Sequence, residues 1–198
     1  MKLVLATQNP KKLKEMNEIL SHLGVEVVSE AELGVRIEVE ETGETFTDNA
    51  RLKATEVMQA TGLPAVADDS GLCVDALNGG PGVYSARFGG EGLDDKGRYT
   101  LLLEMLRGQT DRAAHFHTSI VCAFPNGDEL VCEGECPGTI AFAPMGEGGF
   151  GYDPVFFVPE LRKTFGQLTA EEKASVSHRG KALRAFAAAL DDYLKGNE

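Results

Sequence analysis

The segment "AHFHTSIVCAFPNGDELVCEGE", which begins at Ala114, constrains the fold of this chain more than any other. Two β-rich runs flank the dipeptide Asn126-Gly127. This dipeptide between such runs is the strongest short signal for a β-hairpin, because both residues tolerate the positive φ angles of a tight turn. The middle of the chain therefore predicts a sheet with at least one antiparallel pair of strands.

Helical patterns lie on both sides of this hairpin. Residues 10–23 predict a helix with one apolar face and a C-terminal stop at Gly24, and residues 182–194 predict another. Shorter apolar runs at 2–6 and 25–28 predict buried strands. Helices at both ends of a strand-rich middle indicate an α/β fold with a mixed β-sheet flanked by helices.

The size and composition of the chain predict one self-folding domain, residues 1–198, with room for two lobes and a ligand cleft between them. Its 42% hydrophobic content is enough for a sizeable core. No apolar run reaches membrane-spanning length, and the N-terminus lacks the pattern of a secretory signal. We therefore expect a cytoplasmic protein without a membrane partner.

The net charge of −12 argues against a protein that binds long nucleic acids, which need a basic surface. A small anionic ligand stays compatible if cations are concentrated locally, and surplus carboxylates suit a divalent metal that accompanies phosphate. The four cysteines include no CxxC pair, so we expect reduced, structural thiols.

The stretch "LATQNPKKLKEM" joins the first predicted strand to the first predicted helix. Thr7, Gln8 and Asn9 form the turn, Pro10 takes the first helical position, and a lysine pair that includes Lys12 follows. Lysines at a helix N-terminus oppose the helix dipole, whereas a bound phosphate would reverse that cost. The alternative is that Asn9 only caps the helix and the lysines are solvated.

Two acidic segments are candidate metal sites. "EETGETFTDNARLKA" carries Glu41 and, in a helix that Thr47 or Asp48 is expected to cap and that runs to about residue 61, Lys53. A solvated loop is the ordinary reading of such acids. "LPAVADDSG" predicts a strand meeting a turn, where open α/β sheets place ligand sites.

The adjacent aspartates of that second segment, Asp68 and Asp69, should point to opposite sides of an extended chain. One could then face a metal or water while the other braces the backbone. The alternative is an Asx-type turn before Gly71.

Two further segments could contact a ligand. The glycine-rich "GEGGFGYDP" allows close backbone approach and offers the flat faces of Phe150 and Tyr152, but it matches neither common nucleotide-binding pattern. "EEKASVSHRGKA" places basic residues just before the last predicted helix, where a solvated turn is the alternative. His115 and His117 share a strand face, but without a third ligand nearby a packed or solvated pair is the preferred interpretation.

Taken in order along almost the whole chain, six motifs resemble the inosine/xanthosine triphosphate pyrophosphatase family. Those enzymes hydrolyse non-standard purine nucleoside triphosphates to the monophosphate and pyrophosphate. The motifs are "TQNPKK", "EETGETFTDNARLKA", "LPAVADDSGL", "GGPGVYSARF", "GGFGYDPVFF" and "EEKASVSHRGKAL". The resemblance implies an elongated, two-lobed α/β fold around a central mixed sheet, and a homodimer.

The resemblance also implies roles for individual residues. Glu41 and Asp69 would hold Mg²⁺, and Asp69 would also be the general base. The triphosphate and the adjoining part of the substrate would contact Thr7, Gln8, Asn9, Lys12, Lys53 and Ser70. The base pocket would consist of Phe150, Gly151, Tyr152, Asp153, Lys173, His178 and Arg179. Many members have glycine at the position of Gln8, where a side chain could adjust the phosphate loop.

Two rival interpretations remain at this stage. The septum-formation-like nucleotide pyrophosphatases share the general architecture but carry a serine- and arginine-rich phosphate loop, which "TQNPKK" does not match. A non-catalytic nucleotide sensor would keep the pocket and lose turnover. The presence of both Glu41 and Asp69 argues against such a sensor.

Overall fold

The first element of the chain is a short buried strand, followed by a helix whose start and end the sequence specifies locally. The computed structural model describes residues 1–7 and 9–197. Its α-helices are α1 (Pro10–Leu20), α2 (Phe46–Thr61), α3 (Asp95–Met105), α4 (Ala170–Val176) and α5 (His178–Gly196). No helix within these residues is long and apolar enough to cross a membrane.

The strands form one mixed sheet, as the sequence predicts. They are β1 (Lys2–Leu5), β2 (Glu26–Ser29), β3 (Ala65–Val74), β4 (Gly80–Pro81), β5 (Ala113–Ala123), β6 (Glu129–Ile140), β7 (Phe156–Val158) and β8 (Lys163–Thr164). The order is β2-β1-β3-β5-β6-β7-β8, with β4 paired to β3. β1 pairs in parallel with β2 and β3, whereas the pairs β3–β4, β6–β7 and β7–β8 are antiparallel.

Helix α1 begins where proline predicts and ends slightly earlier than expected. Asn9 caps it, Pro10 occupies its first turn, and Met16 and Leu20 are buried. The last expected turn is a 3₁₀ turn, Ser21–Leu23, which Gly24 ends with a φ of 65°. A left-handed backbone conformation at this position favours glycine, because glycine has no Cβ to clash with the backbone.

Helix α2 is capped two or three residues earlier than the sequence suggested. The cap is Thr45, whose side chain accepts a hydrogen bond from the N–H of Asp48, and not Thr47 or Asp48. Thr47 instead has its hydroxyl 2.9 Å from that of Ser119. The C-terminal end agrees with prediction, since Gly62 ends the helix with a φ of 67°.

The predicted turn at "ADDSG" is wrong, because β3 continues through both aspartates to Val74. An Asx turn serves to satisfy a carboxylate with nearby main-chain N–H groups. Here Asp68 accepts a hydrogen bond from Lys12 and Asp69 accepts one from Asn49. The carboxylates therefore have partners on helices, and the backbone can stay extended.

Helix α5 begins four residues before the predicted start at residue 182. The hydroxyl of Ser177 accepts a hydrogen bond from the N–H of Gly180, at 3.1 Å, and so acts as a cap. His178 and Arg179 consequently lie in the first turn of the helix and not in a loop before it.

The predicted hairpin is confirmed at the centre of the sheet. In its turn, Gly127 has a φ of 93° and donates its N–H to the carbonyl of Phe124 at 3.0 Å. The hydroxyl of Tyr193, on α5, donates to Asp128 at 2.9 Å. The four cysteines, Cys73, Cys122, Cys132 and Cys136, are free thiols, as expected.

The chain divides into two compact units. The first unit comprises Met1–Asp69, Thr118–Gly134 and Lys181–Glu198, and the second comprises Ser70–His117 and Glu135–Gly180. In the first unit, β1, α1 and α5 share one apolar cluster, and Ala50, Ala54 and Ala67 belong to another. The core of the second unit gathers around Phe116, Phe156 and Phe165.

Candidate active site

The turn between β1 and α1 uses its polar side chains to fix its own backbone. The Asn9 Oδ1 atom accepts the N–H of Lys11 at 3.0 Å, and the Thr7 Oγ1 atom accepts the N–H of Asn9 at 3.2 Å. Asn9 is thus the cap that the alternative interpretation expected. The amide NH₂ of Asn9 and the hydroxyl hydrogen of Thr7 are the donors that these contacts leave for an anion. Gln8 lies outside the described residues.

Lys12 is held by one of the two adjacent aspartates. Its Nζ atom donates to the Asp68 Oδ2 atom at 2.8 Å, and the Asp68 side chain is only 3% exposed. A buried carboxylate strengthens such a pair, because water does not screen it well. Asp68, whose role the sequence left open, therefore fixes the position of the second lysine of "TQNPKK".

Lys53 contacts both predicted metal ligands. Its Nζ atom lies 2.7 Å from Glu41 Oε1 and 3.8 Å from Asp69 Oδ1, and it also donates to the carbonyl of Asp68 at 2.8 Å. The side chains of Lys53, Glu41 and Asp69 are 18%, 28% and 14% exposed. Two carboxylates from distant parts of the chain therefore converge on one cation.

Glu41 and Asp69 are the two carboxylates that would have to ligate Mg²⁺. Residues 1–7 and 9–197 contain no group of three or more His, Cys, Asp or Glu that could hold a metal ion. Mg²⁺ in nucleotide enzymes needs fewer protein ligands, because one or two carboxylates act together with substrate phosphates and water. Glu41 and Asp69 supply two carboxylates that already face a common cation, so the donor set fits a magnesium ion that arrives with a triphosphate.

In the second unit, Asp153 organises the glycine-rich loop. Its Oδ2 atom accepts the N–H of Phe150 at 2.9 Å and the Nζ atom of Lys173 at 2.5 Å. Burial raises the pKa of Asp153, although the charge of Lys173 opposes that effect. A Cβ added to Gly149 would lie 1.9 Å from Asp153 Oδ2, so the loop can follow this path only with glycine at that position.

The aromatic residues of this loop have different surroundings. The ring of Phe150 is exposed, and the Lys173 Nζ atom lies 4.7 Å from its centroid. The Tyr152 ring is buried, and its hydroxyl donates to the carbonyl of Ser85 at 2.7 Å. Burial also raises the pKa of Tyr152, so the phenol stays protonated. The idea that Tyr152 offers a flat face is therefore wrong, whereas Phe150 does present its ring.

Gly151 and His178 are fixed by residues that the base-pocket motifs do not include. Gly151 donates its N–H to the Asp95 Oδ2 atom at 2.7 Å, which ties the loop to the start of α3. The ring of His178 stacks on Phe116, with centroids 4.7 Å apart and an interplanar angle of 11°. This stacking fixes the direction in which the edge of the imidazole points.

The remaining predicted residues occupy varied positions. Ser70 is exposed in β3, and Arg179 is partly buried in the first turn of α5. His117 lies 3.0 Å from Glu135 through its Nδ1 atom, which is compatible with the preferred interpretation of a packed histidine.

Three residues that position these groups had no assigned role in the sequence: Asp68, Asp95 and Asn49. Asp95 lies 56 positions from its partner Gly151, and no local pattern encodes such a pair. Asn49 belongs to the motif "EETGETFTDNARLKA", but nothing in the sequence signals that it is buried and contacts Asp69.

Comparison with known proteins identifies the family. The model of the Ham1 family matches residues 3–189. A dITP/XTP pyrophosphatase of Exiguobacterium sp. is 50% identical over 99% of this chain and 100% of its own length. One from Thermus thermophilus is 53% identical over 97% of this chain and 93% of its own length.

Solved structures agree with this result. The Ham1 protein of Staphylococcus aureus matches with a TM-score of 0.91 at 40% identity, and the match covers 100% of both chains. A nucleoside-triphosphatase or dITP/XTP pyrophosphatase of Mycobacterium abscessus matches with a TM-score of 0.82 at 48% identity, over 94% of this chain and 98% of the other. The resemblance drawn from the six motifs is confirmed, and this chain belongs to the Ham1 family.

Proposed function

We propose that this protein hydrolyses non-standard purine nucleoside triphosphates, namely ITP, dITP and XTP, to the monophosphate and pyrophosphate. Family membership and relatives that carry the name dITP/XTP pyrophosphatase at about half identity support this activity. The observation that carries it is the contact of Lys53 with both Glu41 and Asp69, next to the Lys12–Asp68 pair. Cations for a triphosphate and carboxylates for its metal thus occur in one cluster.

The triphosphate contacts the turn at the start of α1 and the two lysines. The Asn9 amide NH₂ and the Thr7 hydroxyl donate to phosphate oxygens, because their oxygen atoms already accept backbone N–H groups. Lys12 and Lys53 add charge-assisted hydrogen bonds, which are stronger than neutral ones. Gln8 and Ser70 are proposed as further substrate contacts on the resemblance alone.

Glu41 and Asp69 would hold Mg²⁺, which would screen the charge of the phosphate oxygens and make phosphorus easier to attack. The oxygen of the attacking water bonds to the α-phosphorus, and the Asp69 carboxylate accepts one proton from that water. The bond from the α-phosphorus to the bridging oxygen breaks, and pyrophosphate leaves. Lys12 and Lys53 stabilise the charge that moves onto the leaving group.

The purine is recognised by the second-unit residues. The exposed Phe150 ring stacks on the base without distinguishing its edge. His178 and Arg179 donate to the 6-carbonyl of hypoxanthine or xanthine, where adenine carries an amino group. Asp153 and Lys173 hold the loop that carries Phe150 and Gly151 in place.

The protein acts in the cytoplasm as a homodimer in this proposal. Both statements rest on the resemblance to the pyrophosphatase family. Light scattering of the purified protein measures the mass in solution, and a monomer at micromolar concentration would contradict the dimer.

The reaction products test the proposed function directly. With ITP and Mg²⁺ we expect inosine monophosphate and pyrophosphate as first products, and no turnover in excess chelator, because the carboxylates need a cation to bind near the triphosphate. Chromatography of the nucleotides, with and without added inorganic pyrophosphatase, measures this. Release of a nucleoside diphosphate with orthophosphate would refute it, and nucleotide binding without any product would favour the sensor.

Asp69→Asn should reduce turnover of ITP by about 10²–10⁴-fold, the usual contribution of a general base, and by more if metal is also lost. The amide keeps the size of the side chain, so circular dichroism should match that of the wild type. Turnover near the wild-type value at saturating Mg²⁺ would rule out this role for Asp69.

Lys12→Ala should raise the KM for ITP by about 10- to 100-fold, the range expected when a hydrogen bond to a charged group is removed. Binding of the nucleoside inosine should change little. Lys11→Ala is the matched control, because Lys11 is exposed one position earlier in the same turn. An unchanged KM with a large fall in kcat would mean that Lys12 acts on the transition state alone and does not contribute to binding of the triphosphate.

ITP and XTP should be preferred strongly over ATP, because adenine would place a donor against the donors of His178 and Arg179. Discrimination of this kind reaches about 10⁴–10⁵ in a site built for the hydrogen bond. Guanine also carries a 6-carbonyl, so the enzyme must reject GTP at position 2 of the purine ring, where guanine carries an amino group. Arg179→Ala should lower the ITP-to-ATP ratio of kcat/KM more than Phe150→Ala does. Equal kcat/KM for GTP and ITP would overturn the specificity claim.

A further inference from the structure

Asn49 is a fully buried polar residue in the first turn of α2, with 0% of its surface exposed. Buried side-chain amides are nearly always hydrogen-bonded, because an unsatisfied one costs roughly 1–3 kcal/mol. Neither the proposed chemistry nor the proposed substrate contacts use this residue.

Both ends of the Asn49 amide contact the region around the proposed metal ligands. Its Oδ1 atom accepts the N–H of Gly43 at 2.8 Å, and its Nδ2 atom donates to Asp69 Oδ2 at 3.2 Å. The chemistry of the partners fixes this orientation, since a backbone N–H requires an acceptor and a carboxylate requires a donor. One rigid side chain therefore joins the loop that carries Glu41 to the carboxylate of Asp69.

The loop lies so close to α2 that only glycine fits at position 43. A Cβ at Gly43 would lie 2.7 Å from Asn49 Oδ1, 2.9 Å from the Asn49 backbone nitrogen and 2.7 Å from the Cβ of Asp48. Gly43 is not among the residues with positive φ, so space and not backbone conformation demands the glycine. This close approach lets the short side chain of Asn49 reach the loop.

We propose that Asn49 is a positioning residue for the divalent cation: it holds the Glu41 loop, through Gly43, and the Asp69 carboxylate in one fixed arrangement. This inference rests on the proposed function, because that function supplies the need for a metal. Side chains that orient metal ligands without touching the metal typically change metal affinity or activity by about 10–100-fold when they are replaced. Asn49 makes both of its contacts from within a helix, which is a stiff support.

Two variants break the arrangement from opposite sides. Asn49→Ser cannot span the distance between Gly43 and Asp69, and Gly43→Ala pushes the loop away while leaving the Asn49 amide intact. We expect both to weaken Mn²⁺ binding by about 10-fold or more. Electron paramagnetic resonance measures free Mn²⁺ in titrations of the protein, alone and with the α,β-imido analogue of ITP. The Mg²⁺ concentration for half-maximal turnover should rise by a similar factor.

Thr47→Val is the matched control. Thr47 lies two positions earlier on the same helix, and its hydroxyl contacts Ser119 and Glu133 instead of the metal ligands. This variant should keep wild-type Mn²⁺ affinity even if its melting temperature falls. A merely structural role of Asn49 would lower stability in Asn49→Ser without changing the metal titration.

The outcomes separate this inference from the function on which it rests. Wild-type Mn²⁺ affinity in folded Asn49→Ser or in Gly43→Ala would overturn the positioning role, while product analysis of the wild type would still test the function. If Asn49→Ser does not fold, Gly43→Ala decides alone, because it changes a loop residue. Absence of Mn²⁺ binding by the wild type in both titrations would overturn the metal assignment itself.

Discussion

The alternation of side chains along β3 is the constraint on which the proposed phosphate and metal cluster depends. Successive residues of a strand face opposite sides, so Val66 packs in the cluster of α1 and Ala67 in the cluster of α2. Asp68 consequently reaches Lys12 on α1, and Asp69 reaches Asn49 on α2. A turn at this point would have broken the alternation, and the two carboxylates could not have served two different helices.

Each lysine of the candidate site already has a carboxylate partner. Lys12 pairs with Asp68, Lys53 with Glu41, and Lys173 with Asp153. Long side chains held in this way lose less conformational entropy when a ligand binds. The lysines are therefore preorganised for a ligand, although the carboxylates offset part of their positive charge. This pairing also allows a chain with a net charge of −12 to offer cations locally to a small anion.

Local signals in the sequence were sufficient where the structure is decided within a few residues. Asn9 and Pro10 predict the start of α1, Gly24 the end of the 3₁₀ turn that follows α1, and Asn126-Gly127 the hairpin. Contacts between distant positions could not be predicted from patterns. The turn assigned to "ADDSG" was wrong for this reason, since it assumed that the aspartates would find partners nearby, whereas Lys12 lies 56 positions away from Asp68.

Strand β1 and helix α5 meet in one apolar cluster. Leu3 and Leu5 of β1 pack with Phe186 and Leu190 of α5. During translation β1 must therefore wait until α5 has left the ribosome before this core can close. Until then the part of the cluster that α5 covers lacks that cover, and transiently exposed apolar surface of this kind favours aggregation.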